Sequence, residues 1–146
     1  LHKAIRRQRQ MCIRDSVITG KALSGHLGES DENGQVKVLA TTKIILPGEV
    51  CTESYIAMGK FDTEFEAYNL YKYLCTKVSR FLLLQALPTM DIRKESFRFV
   101  PLQDFTDSSD IDWSKPIENI DRQLYRKYGL NDEEIGFIER MIKPME

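Results

Sequence analysis

Between Asp62 and Pro88 the chain keeps helix-forming spacing without a break, and a helix of that length limits what can be built around it. Asp62-Thr63-Glu64-Phe65-Glu66 has the form of a helix start, with Thr63 and Glu66 at capping-box spacing and acids in the first turn, where the helix dipole favours them. Phe65, Tyr68, Tyr71, Cys75, Val78 and Leu82 recur every three or four residues. That spacing predicts one apolar stripe on a helix running to about Leu87, ended by Pro88, with Tyr73 off the stripe. Aromatic residues in such a row could stack bases, but stacking platforms sit on exposed sheets and grooves, so core packing is the expected role.

Short strand-like runs precede this helix. Val17 to Asn33 is rich in Gly and Ser and reads as loop. After Asn33-Gly34, Val36-Lys37-Val38 alternates as a half-buried strand does, Thr42 to Leu46 stops at Pro47-Gly48, and Ser54 to Met58 forms a third run. Beyond Pro101 comes a polar, acidic linker, Thr106 to Asp112. Ile117, Ile120, Leu124 and Tyr128 then form a stripe ended by Gly129, and Asn131 with Glu134 opens a second helix carrying Ile135, Ile138, Met141 and Ile142. The expected class is α+β: a small mixed or antiparallel sheet packed by one long helix, followed by a short C-terminal helical pair.

Residues 1–16 stand apart. Arg6 to Ser16 resembles, codon by codon, the in-frame translation of a transposase-type sequencing adapter, and Leu1-His2 fits the flanking primer. On this reading the stretch is excluded from fold reasoning, and the native chain enters at Val17 without an initiator Met, as a piece of something longer. Electrostatics change accordingly. The whole chain has 21 Lys+Arg against 22 Asp+Glu, but residues 17–146 have 16 against 21, and residues 101–146 have six against eleven. A whole-surface attraction to phosphate is excluded by that balance, so any nucleic-acid contact must come from a local patch.

No apolar run approaches the roughly 20 residues that span a bilayer. Cys51 and Cys75 are isolated, with His26 the only histidine after residue 16, and such cysteines are commonly small buried hydrophobes in a reducing compartment. A cytoplasmic protein without a membrane partner is expected.

One region is locally basic. Lys77, Arg80, Arg93, Lys94 and Arg98 face only Asp91 and Glu95, so they form either a phosphate-positioning patch or a solvated surface. Ser96 to Val100 alternates, which predicts Phe97 and Phe99 facing a core and Arg98 facing away. The clustered Asp residues at 107–112 lack the Gly turn and terminal Glu of a calcium loop, and no metal site is expected there. The C-terminal helices have the outline of a helix-turn-helix. Asp132-Glu133-Glu134 opens the second, where bases and phosphates would lie, so docking onto another part of an enzyme is the better reading.

Several strings carry a resemblance in order. They are Cys51-Thr52-Glu53-Ser54-Tyr55 with Gly59 to Glu64, Tyr73 to Lys77, Arg80-Phe81-Leu82, Phe97-Arg98-Phe99-Val100-Pro101-Leu102-Gln103-Asp104-Phe105, and Ile138-Glu139 with Met141 to Met145. Together with Tyr128-Gly129-Leu130, this resembles the C-terminal end of bacterial restriction-modification enzymes, especially Eco57I-like adenine-specific DNA methyltransferases. The resemblance implies a recognition-type region at residues 17–105, an acidic linker and C-terminal helical pair at 106–146, and double-stranded DNA and an upstream catalytic domain as partners. It also implies S-adenosylmethionine as methyl donor in the parent enzyme, and possession of a linked nuclease in some members. This chain departs from the family where chemistry is done. It has no Asn/Asp-Pro-Pro-Tyr/Phe motif to hold a flipped adenine, no Gly-containing cofactor loop and no nuclease metal cluster, so catalytic, cofactor-binding and metal residues are expected elsewhere.

Overall fold

The computed structural model describes residues 9–11, 15–21, 30–39, 41–87 and 91–145. Its strands are β1 (Arg9–Met11), β2 (Asp15–Gly20), β3 (Thr42–Ile45), β4 (Val50–Thr52) and β5 (Tyr55–Phe61). β2 is the middle of a three-stranded antiparallel sheet, with Val17 opposite Ile44 of β3 and Met58 of β5. β1 and β4 pair separately, also antiparallel. β1 and the first two residues of β2 thus lie within the adapter-like stretch. Alternation on β2 serves two faces: Val17 enters the main core, and Ile18 joins Ile45 and Cys51 on the opposite side. Pro47-Gly48 turns the chain between β3 and β4, with Gly48 at φ 87° and the Leu46 amide donating to Glu49.

The expected strand at Val36–Val38 is not one. Val36 makes a single parallel bridge to Ile142, its amide donating to the Met141 carbonyl at 2.7 Å while the Lys143 amide donates back to Val36 at 3.1 Å. Val36 and Val38 are buried and Lys37 is exposed, so the alternation reports burial without a sheet neighbour.

The expected long helix is divided at Thr76. α1 (Glu64–Cys75) begins where Thr63 accepts the Glu66 amide, and α2 (Lys77–Gln85) begins where Thr76 accepts the Ser79 amide. Thr76 has extended backbone, and its hydroxyl also donates to the Tyr73 carbonyl at 2.6 Å. A threonine closes one helix and caps the next. The inward face of α1 is Ala67, Leu70, Tyr73 and Leu74, whereas Phe65 and Tyr68 are 50% and 46% exposed. The core face is therefore rotated from the expected stripe, and Tyr73, read as off-stripe, is buried. The residue expected to end the helix, Pro88, lies outside the described residues.

The alternating run at Ser96 to Val100 lies largely in a 3₁₀ helix (Lys94–Phe99), started by the Arg93 amide donating to the Ser96 hydroxyl. Phe97 is half-buried against the core and Phe99 is exposed, so only the first of the two faces inward. The C-terminal pair is α3 (Ile117–Lys127) and α4 (Asp132–Met141). Gly129, at φ 64°, lets the Leu130 amide reach back to Tyr125 and close α3, and Asn131 with Glu134 forms a reciprocal capping box on α4. Ile120, Leu124, Ile138 and Ile142 complete the core against α1 and α2, in the α+β arrangement expected.

Candidate functional site

The five cations expected to form one patch separate into two environments. Arg80 is 0% exposed. Its Nε donates to the Thr76 carbonyl at 3.2 Å and its Nη1 to the Lys143 carbonyl at 2.6 Å, so it offers no surface to a phosphate. Lys77 is ion-paired with Glu139. Arg93, Lys94 and Arg98 are exposed together at the 3₁₀ helix. Arg98 lies over the Phe99 ring at 4.7 Å and makes only long contacts, at 3.4 Å, to the carbonyls of Ala86 and Glu95. A basic surface here is built from three residues, not five, because the α2 cations are used to fasten helices.

That fastening is a buried polar junction. The Asp121 carboxylate, on α3, accepts the Lys77 amide at 3.0 Å and the Val78 amide at 3.1 Å, satisfying donors that a helix start leaves open. Burial pushes the Asp121 carboxyl up to about 6, against the two amide bonds that favour its charge. Burial likewise lowers the Arg80 guanidinium from its ordinary value. Its Nη2 is buried without a hydrogen-bond partner. Beside it, Tyr125 donates to Glu139 at 2.7 Å. Burial opposes the Glu139 charge, but the Lys77 ammonium and the Tyr125 hydroxyl outweigh it and hold the group below the ordinary carboxylate range. Burial raises the Tyr125 hydroxyl. Asp121, Tyr125 and Glu139 were not singled out from sequence. The available signal was Asp121 itself, an acid between Ile120 and Leu124 on the apolar side of a helix.

The string from Phe97 to Phe105 forms a clasp. Tyr73 of α1 donates to the Pro101 carbonyl at 2.7 Å, and Asn69 donates to the Phe105 carbonyl at 2.9 Å. Gln103 donates to the Tyr128 hydroxyl at 2.6 Å and accepts Lys127 at 2.8 Å, which ties the same segment to the end of α3. Phe105 packs against Tyr73, Trp113 and Phe61. Leu102 is the most exposed apolar side chain of the string, at 92% against 51% for Phe99. Of the acids after it, Asp104 and Asp112 accept the backbone amides of Thr106 and Ser114, and Asp110 pairs with the Lys127 ammonium.

A nucleotide-type cofactor loop needs glycine where a strand gives way to a helix. Among the described residues that passage is Phe61 to Glu64, bridged by Asp62 and Thr63, and the left-handed glycines lie in turns or within β5. Among the described residues, that passage carries no glycine. No helix among them is long and apolar enough to cross a membrane. Set against known protein families, curated proteins and solved structures, the chain matches none.

Proposed function

We propose that this chain is the recognition and C-terminal part of a type II restriction-modification enzyme, a site-specific adenine-N6 DNA methyltransferase. It holds double-stranded DNA while an upstream catalytic domain that binds S-adenosylmethionine transfers the methyl group. The supporting observation is the exposed basic turn: Arg93, Lys94 and Arg98 share one short helix, and none is ion-paired with another described residue. Such cations release counterions when they meet phosphates, fixing register without reading bases. Anisotropy of a short fluorescent duplex, titrated with salt, tests this. The chain binds with a log–log salt slope of roughly −2 to −3, as three phosphate contacts require. Replacing Arg93, Lys94 and Arg98 by Ala abolishes that binding; an unchanged affinity removes the assignment.

A second reading, a docking module that never touches DNA and could equally be the tail of a restriction endonuclease, is favoured by Leu102. Leu102 and Phe99, exposed three residues apart, give an apolar surface that suits a protein partner. Absence of DNA binding, with association to the catalytic domain lost in Leu102→Asp, supports this reading instead.

A further inference from the structure

Between α3 and α4 lies an open groove of about 450 Å³. Its apolar wall is Leu130 and Ile135, both half-buried, with the Tyr125 ring beside them. Arg122 and Arg126, one turn apart on α3, stand along it. Their contacts are long and local: Arg122 to the Asn119 side chain at 3.5 Å and Arg126 to the Arg122 carbonyl at 3.4 Å. Neither is ion-paired with another described residue. Of the two carboxylates lining the groove, Glu139 is hydrogen-bonded by Lys77 and Tyr125 and attracted at longer range by Arg122, and Glu118 lies one turn before Arg122 on α3.

We propose that this groove binds a short acidic peptide segment, which places a carboxylate on Arg122 and Arg126 and an apolar side chain over Leu130 and Ile135. Paired guanidinium groups match carboxylates by parallel N–H···O bonds, and arginine beside an apolar pocket is the composition of interface anchors. Charge complementarity selects a peptide over nucleic acid. The turn of α4 that leads into Ile135 carries exposed Asp132, Glu133 and Glu134, which repel a long polyanion running past them but not a single carboxylate seated between the arginines. The inference is independent of the DNA-binding turn, which is built from other residues.

Amide chemical-shift titration of the full chain tests it. The probe is a capped peptide of about six residues with one glutamate, one leucine and otherwise neutral side chains, and the control is its lysine-for-glutamate counterpart. The acidic probe shifts amides around Arg122, Arg126, Leu130 and Ile135 saturably below about 1 mM, the range of a weak two-anchor contact. Affinity falls on the order of tenfold or more in Arg122→Glu/Arg126→Glu, and by less in Arg122→Lys/Arg126→Lys, which keeps the charge and loses the fork. Unaltered amide shifts away from the groove show that each variant is folded. No saturable shift with the acidic probe, equal binding of the lysine probe, or tighter binding of duplex DNA at the same residues overturns the proposal.

Discussion

The Asp121 carboxylate lies across the first turn of α2, its Oδ1 accepting the Val78 amide at 3.1 Å. Its other oxygen accepts the neighbouring amide of Lys77, so a side chain from α3 performs a task that a cap within α2 shares only in part. The helical break at Thr76 exists where those amides are needed.

Asp121 should tilt the pH dependence of stability. Its folded value, about 6, stands above the ordinary aspartate value of about 4, so the folded state binds this proton more tightly. The stability it contributes is complete below about pH 4 and is lost as pH rises through about 6, a loss on the order of 3 kcal/mol by linkage. In Asp121→Asn that loss is absent, although the amide group set against a backbone N–H weakens the junction throughout. Urea unfolding from pH 4 to 7 should show the wild-type chain losing stability relative to the variant; parallel curves would refute the role.

Arg80→Ala should destabilise the fold by about 3 kcal/mol, because it opens a cavity and takes the Nη1 donor from the Lys143 carbonyl. Arg80→Met fills most of the volume and removes the unpartnered Nη2, so it should lie within about 1 kcal/mol of wild type. Equal losses in the two variants, measured by denaturant midpoints, would contradict this account.

Gly59 is a steric requirement of β5. At φ 72° it occupies left-handed space, and an added Cβ would stand 2.2 Å from Phe61 Cε2. Gly59→Ala should cost about 2 kcal/mol or more. In a double-mutant cycle with Phe61→Ala, only the clash is relieved, leaving the backbone term of about 1 kcal/mol. A fully additive cycle would exclude the clash.

Removing residues 142–146 should cost at least about 4 kcal/mol, since Ile142 is wholly buried and Lys143 serves both Arg80 and Val36. Thermal unfolding followed by near-ultraviolet circular dichroism would decide it, an unchanged midpoint being the contrary result.

Local chemistry was readable from sequence where a feature is complete within a few residues. Asn131 with Glu134, Gly129 and Pro47-Gly48 all behave as their spacing predicts, since cap and turn partners are neighbours in the chain. Val36 and Val38 were correctly read as buried, but the backbone that meets Val36 comes from residues 141–143, and no local pattern announces it. The division at Thr76 was hidden for a similar reason. Thr76 fits helical periodicity, and what favours ending α1 there is Asp121, far along the chain. Of the candidate site, charge was legible and exposure was not. Arg80 shares a face with Tyr73 and Leu83 that the stripe drawn through Phe65 and Tyr68 placed outside. Phe97 and Phe99 show the same limit, since their alternation could not reveal the 3₁₀ turn that separates them.

The parallel bridge between Val36 and Ile142 has a bearing on biosynthesis. During translation, at about 5–20 residues per second, the sheet and α1 emerge seconds before the segment that closes over Val36 and accepts Arg80. Until then, Val36 and the Arg80 guanidinium await partners 106 and 63 residues further along the chain, at Ile142 and Lys143. The nascent intermediate therefore exposes a vacant seam beside α2, where chaperones or a neighbouring chain's equivalent tail could bind first.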